Sequence, residues 1–592
     1  MLSFIPLPWS APVVPAFVRF AVSIALLVPA FAAAQAGRVA AADPPQVRDR
    51  DSVQVLARAR SAQAGFERFR FQRLPRTHVR VGGGKCDEII GRFCFTFSDS
   101  EEGDEPPPEP PGIADRRREL LDALAQAAAL LPGDAWIAGQ RVRYLLEAGD
   151  EEGALAAARG CRSERWWCAA LEGLALHEAG KFVEAEEAFD AALAAMPANE
   201  REEWTDVTVL LQPRDQRAFR QMTEEERKRL ARRIWWLADP LWSEPGNDRL
   251  TEHYARWTMD RIQRGARQVD RTRWGEDLRE IVVRYGWFTA WERYEPMFYG
   301  GSQSSSAIAY NDPRTWEFIP PLETAQDPRL LQGDEWPLSE TEPTTTRYAP
   351  EYAARIMALP HQLAVFPRPG GAVLVAGYSV DDDSLPETPR LRASLVAMDD
   401  AGGRRAVSPW QPTAATGVLY VELPGPVSVV SLEVREDSTR VVARHRQAVE
   451  WQPDARVSNL LLLAHPDARP TELMEAARME RGSAVVAPGE RVGVFWEMYD
   501  MERSDSLAVH VALIPARANW SRRQLEAIGV ARAARTVRMG WTEGVEAGPI
   551  VGRSLAVGIP SDLRPGEYTL EVTFTAPGGT PSTARRAITV RR

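Results

Sequence analysis

Apolar residues recur at two different periods along this chain, and the change from one to the other divides it. From Asp115 to Asn199 the spacing is helical, and Leu230, Ile234 and Leu237 continue it at i, i+4 and i+7, as do Leu250, Tyr254 and Trp257. Thr223-Glu224-Glu225-Glu226 forms a capping box ahead of the first of these stripes, and Glu224/Lys228 and Glu225/Arg229 stand at supporting i, i+4 spacing. Beyond them the period becomes two. Ile281, Val283, Tyr285 and Trp287 alternate with Glu280, Val282 and Arg284, which predicts a half-buried strand over 280–287. Further strands are expected over 372–378, 391–398, 417–423, 427–434 and 441–445, with a hairpin turn at Asp400-Ala401-Gly402-Gly403. A second set is expected over 492–496, 507–513, 554–559, 568–574 and 587–590, and Leu460 to Leu463 reads as a buried strand. The stretch 238–291 is the joint between helical and stranded sequence.

The helical stretch repeats. Gly173, Leu176, Gly180, Ala185, Phe189, Ala192 and Pro197 occupy the small, large and terminating positions of a helix pair, and Trp136, Gly149 and Ala154 fall in corresponding places of an earlier unit. This resembles degenerate tetratricopeptide repeats over about 85 residues, which implies stacked helix pairs with a concave groove. Such a groove implies a protein or peptide partner; the alternative is that it packs against the chain's own middle domain. Asp239-Pro240, Asn247 to Arg256, Trp274, Gly275, Asp277 and Arg284-Tyr285-Gly286 resemble the outline of the GWxTD domain family of secreted bacterial proteins. Arg273 and Glu276 depart from that signature, so the resemblance is to a divergent member, and the family supplies no activity to transfer. Leu563-Arg564-Pro565-Gly566-Glu567-Tyr568 resembles the tyrosine corner of immunoglobulin-like sandwiches.

The fold expected is therefore multidomain α + β: an N-terminal helical-repeat, tetratricopeptide-like region, an α+β middle domain, and C-terminal immunoglobulin-like β-sandwich domains. Its boundaries run as a signal peptide over 1–36, a cysteine-containing segment over 37–97, an acidic Pro-rich linker over 98–114 and helical repeats over 115–200. The GWxTD-like domain follows over 201–340, then sandwiches over 346–455 and 456–592. A Pro/Thr-rich run from Thr341 to Tyr352 reads as a second linker. With 592 residues, several cores are needed.

Arg19, the apolar run Phe20 to Ala34 and the small residues closing it have the form of a cleaved secretory signal, with an uncleaved anchor as the alternative. Export makes Cys86, Cys94, Cys161 and Cys168 disulfide candidates, paired locally as 86 with 94 and 161 with 168, with free buried thiols as the alternative. Periplasm, outer envelope or extracellular space is the expected location. A net charge of −10 argues against nucleic acid, which needs clustered Lys and Arg.

Chemistry is harder to find. Seven histidines are scattered, with no HExxH and no close cysteine partner, so no metal and no cofactor is expected. Trp204, Trp235, Trp236, Trp242, Trp257, Trp274, Trp287, Trp291, Trp316 and Trp336 are ten of the 19 tryptophans and read as a large aromatic core. Alternatively, they offer stacking faces to sugar rings. Asp277 and Glu280, at odd separation in a strand, would point to opposite faces, which weakens them as an acid/base pair. The reading is an exported, non-enzymatic envelope interaction or scaffold protein that uses its helical repeats on a protein or peptide. The alternative is a glycan-binding or glycan-acting protein with its site in the tryptophan-rich middle.

Overall fold

The computed structural model describes residues 49–77, 88–95, 107–294, 306–311, 315–331, 345–380, 385–450, 452, 455–516 and 536–591, all within one compact unit, Val47–Arg592. The signal and anchor readings, Cys86, His78, Trp336 and most of the acidic linker lie outside them. Helices fill the first half and strands the second, as an α+β chain of several parts requires. Among the described residues no helix is long and apolar enough to cross a membrane.

The front consists of α1 (Asp49–Arg73), α2 (Ile113–Leu130), α3 (Ala135–Leu146), α4 (Glu151–Arg159), α5 (Arg165–Glu178), α6 (Phe182–Ala195) and α7 (Ala198–Thr205). Asp134 and Asp150 cap α3 and α4 by accepting from Ile137 N and Gly153 N. Neighbouring helices pack closely: an ideal Cβ on Gly173 of α5 would lie 2.8 Å from the Phe189 ring of α6. Gly149 and Gly180 turn the chain at φ 70° and 66°, conformations that favour glycine.

The middle contains α8 (Pro213–Arg220), α9 (Glu224–Ala238), α10 (Asp248–Gln263) and α11 (Glu276–Tyr285). The capping box at Thr223 and Glu226 is present on α9. The strand expected over 280–287 is instead helix α11. Its apolar set Leu278, Ile281, Val282 and Tyr285 also falls at i, i+3, i+4 and i+7, so period two and period 3.6 coincide over so short a run. Acidic Glu276 and Asp277 in the first turn, Arg284 in the last and Gly286 at φ 86° decide for the helix. Short strands β1 (Arg76–Thr77), β2 (Glu88–Ile90), β3 (Phe93–Phe95), β4 (Ala290–Tyr294) and β5 (Ser306–Tyr310) lie beside it, β2 pairing with β3 and β1 and β5 flanking β4.

The run expected to be a second linker is tied into the interior where it is described. Thr346, Arg347 and Tyr348 are buried, and Thr346 N and Arg347 N donate to the Glu317 carboxylate and to Arg284 O at 2.9 Å each. Thr and Tyr side chains find buried polar partners here, which composition alone does not register.

The rear is built from sheets. A five-stranded sheet with order β10 (Arg404–Thr413), β9 (Leu391–Met398), β12 (Val429–Glu436), β13 (Val441–Ala448) and β6 (Arg355–Ala358) shares a core with β11 (Thr416–Leu423), β8 (Gly371–Ser379) and β7 (His361–Arg368). A second pair shares another core: β14 (Leu461–Leu463), β16 (Arg491–Met501) and β19 (Gly548–Gly558) against β15 (Val485–Val486), β21 (Ser582–Val590), β20 (Gly566–Thr575), β17 (Ser504–Pro515) and β18 (Val537–Val545). Leu461 to Leu463 are fully buried, as expected. Tyr568 donates its phenol to Arg564 O at 3.0 Å, closing the turn before β20.

Apolar contacts run without a break from front to rear. One core joins Leu171, Leu174, Phe189 and Trp204 of the front to Trp242 and Tyr254 of the middle, and to Val396, Met398, Val429 and Val442 on the outer face of the first sheet. Ala364, Phe366 and Val375 then meet Leu461, Leu463 and Phe495 of the second pair.

Candidate functional site

Helix α10 is the element on which the front and middle converge. Asn247 caps it by accepting from Leu250 N at 2.9 Å, and all its residues except Leu250 and Arg261 are buried. It packs chiefly on α5, with further contacts to α6 and α3. Gln140 of α3 donates to Ile262 O at 2.8 Å, and Trp136 Nε1 donates to Gly265 O at 2.9 Å. The face that α3 and α5 turn inward is therefore covered by the chain's own helix.

A helix buried on nearly every side has to find internal partners for most of its polar groups. His253 Nε2 donates to Trp204 O at 2.9 Å. Burial and the nearby Arg249 cation hold its pKa down at about 3. Arg256 donates from Nε to Glu252 at 2.5 Å and from its other nitrogens to the carbonyls of Val283, Arg284 and Arg347. It thereby fastens α10 to α11 and to the 345–352 segment. Asp248 accepts from the hydroxyls of Tyr348 at 2.9 Å and Tyr352 at 3.1 Å, and burial raises its pKa to about 6 against those bonds. The Arg249 guanidinium lies between the rings of Trp235 and Tyr348, 5.8 and 5.9 Å from their centroids.

At the N-terminal half of α10, Thr251 and Glu252 meet the end of α5. His177 Nε2 is 2.8 Å from Glu252 Oε2, and His177 Nδ1 is 2.9 Å from the Thr251 hydroxyl. Burial opposes the imidazolium, but the bond and charge of Glu252 outweigh it and raise the His177 pKa. Glu178 stands beside them, pushed up to about 8 by burial despite His177, with Glu252, Glu351 and Glu151 adding to the rise. Spacing could not reveal this group, because His177 and Glu252 are far apart in sequence and neither sits in a recognisable motif.

Next to this cluster a cleft of about 510 Å³ opens between the α5–α6 turn (Gly180, Lys181, Phe182, Val183, Glu184), Glu244 and Pro245, Glu351 and Tyr352, and Arg435 of β12. Phe182, Val183, Pro245 and Tyr352 give it apolar surface. Glu184, Glu244, Glu351, Lys181 and Arg435 give it charge of both signs, and Glu244 and Arg435 pair at 2.8 Å. Val183 is 42% exposed, unusual for a large apolar side chain so near a buried joint.

The residues singled out in the sequence serve as ties. Trp274 Nε1 donates to Asp260 at 2.8 Å, and Gly275 is the N-cap of α11. Arg92 bonds Asp277 and holds its carboxyl down at about 2. Arg284 bonds Glu88 at 2.7 Å and Glu280 at 2.9 Å, and the Tyr285 hydroxyl donates to Glu88 at 2.5 Å. Gly286 passes close to the Arg256 guanidinium. The opposite-face argument for Asp277 and Glu280 falls with the strand: on a helix they stand at i, i+3, but Arg92 and Arg284 respectively engage them, and they do not converge on a cavity. Trp204, Trp235, Trp242, Trp257 and Trp316 are buried, and Trp204 stacks on Trp257 at 6.4 Å, so these five rings lie in the interior. Cys161 and Cys168 form a disulfide with Cα atoms 5.6 Å apart. Cys94, on β3, is also disulfide-bonded.

No family model matches the chain, and no curated protein matches it. Solved structures give only slight likeness. A family 123 glycoside hydrolase from Clostridium perfringens is 10% identical, with a TM-score of 0.14 over 23% of this chain and 28% of that one. Red sea bream transglutaminase is 11% identical, with a TM-score of 0.13 over 40% and 32%. Escherichia coli alpha-2-macroglobulin activated by porcine elastase is 12% identical, with a TM-score of 0.13 over 38% and 22%. The chain thus spans about a third or less of each of these structures.

Proposed function

We propose that this is an exported cell-envelope interaction protein that holds a segment of a protein or peptide partner in the cleft between the α5–α6 turn, Pro245 and Tyr352. The observation that carries the reading is the exposed Val183 beside the half-buried Phe182, set among carboxylates and two cations on a turn of the helical front. Mixed apolar and charged lining of this kind suits a polypeptide better than a uniform ligand. The inward face of α3 and α5 is taken by α10, so the partner surface moves from the groove to the rim of the helix pairs. Resemblance to tetratricopeptide repeats supports the reading, since the close Gly173 to Phe189 approach is what their small positions serve. The resemblance of Asp239 to Gly286 to the GWxTD outline of secreted bacterial proteins supports an exported setting, and the Cys161–Cys168 disulfide is compatible with it. The two sheet pairs act as an immunoglobulin-like base presenting the joint.

A photo-crosslinking residue at Val183 of the full chain tests this in envelope extracts, with one at Tyr420, an exposed sheet position, as control. A discrete product at Val183 that is absent at Tyr420 and is suppressed by Tyr352→Ala supports the cleft. Identical products at both positions would remove it.

A further inference from the structure

Among the described residues, His177, Glu178 and Glu252 bring one imidazole nitrogen and two carboxylate oxygens within 4.8 Å of one another. We propose that these three side chains bind a divalent transition-metal ion of the zinc or manganese class. This goes beyond the partner cleft and does not depend on it.

The orientation of His177 is the first support. The Thr251 hydroxyl lies 3.1 Å from Asp248 O, its acceptor within the helix, so it accepts from His177 Nδ1–H. That bond fixes the ring and directs Nε2 toward Glu252. Metal-ligating histidines are held in this way, with one nitrogen donating to a fixed acceptor and the other left for the ion. The second support is Glu178. Its carboxylate receives no hydrogen bond from any described residue, although His177 and Glu252 stand beside it. An ion pair between His177 and Glu252, completed by Arg256, makes no use of Glu178. A cation between all three does. The surroundings carry more carboxylates, Asp248 one turn before Glu252 and Glu351 in the cleft wall, so positive charge is favoured there.

Imidazole with carboxylates is a donor set for zinc, manganese or iron, and three protein ligands leave at least one position for water or a ligand atom. The cleft gives a route. Phe182, in its wall, has its ring 5.5 Å from that of His177, and Tyr352, also in the wall, reaches Asp248. The ion would join the last turn of α5 to the first turns of α10, pinning the front to the middle.

The test uses the full chain stripped with chelator, then titrated with Zn²⁺ by calorimetry and with Co²⁺ by absorption spectroscopy. One equivalent of Zn²⁺ per chain is expected, with a visible Co²⁺ spectrum. Glu178→Gln is expected to weaken binding by about 10- to 100-fold. The metal-free variant should melt at or above the wild-type temperature, since Glu178 makes no hydrogen bond there. His177→Ala should abolish binding. Absence of stoichiometric uptake, or equal affinity in Glu178→Gln, would overturn the site, because either result leaves His177 and Glu252 as an ion pair alone. Crosslinking at Val183 is read separately, so loss of one result leaves the other standing.

Discussion

The joint around α10 and the second sheet pair are both well packed, yet they are held by different means. In the rear, Leu570, Val572 and Phe574 alternate inward from β20, and their neighbours point to solvent. The core there is a two-sided apolar layer, and its ion pairs, such as Arg585 with Glu571, lie at the surface. The joint instead buries Arg256, Glu252, Glu433 and Arg446 among tryptophans. Apolar burial is tolerant of shape changes of modest size, whereas a buried charge tolerates no loss of its partner. Damage should therefore be steep and local in the joint and shallow in the rear.

The steepest case is Glu433. Its carboxylate accepts from Trp242 N at 2.9 Å, from Ser243 N at 3.0 Å and from the Ser431 hydroxyl at 2.6 Å, with Arg446 at 3.5 Å. Glu433→Ala strands all of them, and a loss of about 3–5 kcal/mol is expected from urea denaturation followed by tryptophan emission. A loss below 1 kcal/mol would mean that the joint is not held by this charge. Reduction of the Cys161–Cys168 disulfide, or its replacement by serines, is expected to cost about 2 kcal/mol, because the closed loop is short. The effect should fall on the helical signal by circular dichroism and spare the β signal.

A pH effect is expected from the first sheet pair. His445 is held down at about 3 by burial, with the stacked His361 and Arg444 also opposing its charge. The unfolded chain takes up a proton near pH 6.5 that the folded chain refuses until about 3. Stability from this residue is thus complete above pH 6.5 and is lost progressively as the pH falls toward 3. Denaturation midpoints compared at pH 7 and pH 5 should differ less in His445→Gln than in wild type. The smallest effect belongs to Glu571→Ala, where an exposed pair in the rear is lost. Under about 1 kcal/mol is expected in the same urea titration, and a larger cost would erase the contrast with Glu433.

How much of this could be read beforehand follows the same division. The strands at 391–398 and 568–574, the buried Leu461 to Leu463 and the capping box at Thr223 were legible because each has one buried side or a local hydrogen-bond signature. Helix α11 was not, since Ile281, Val283 and Tyr285 satisfy alternation while Leu278, Ile281, Val282 and Tyr285 satisfy the helical period. For α10 the stripe Leu250, Tyr254 and Trp257 marked a helix with one covered face. The chain covers nearly every face, and Leu250 is among its less buried residues. Burial of Arg249, Glu252 and Asp260 could not be inferred, because charged residues are assigned to solvent unless a partner is known, and their partners lie far away in sequence. The same distance hid the His177, Glu178 and Glu252 group. A local pattern carries no information about which helix another helix will meet.

The claim on which the rest stands is that α10 fills the inward face of the helical front. Hydrogen–deuterium exchange of the intact chain, read by mass spectrometry over 250–263, tests it directly. Amides of α10 should be as slow as those of β20, exchanging only when the whole joint opens. Exchange of 250–263 at the rate of the exposed Gly578 turn would contradict the account, leaving that face free to receive a partner helix.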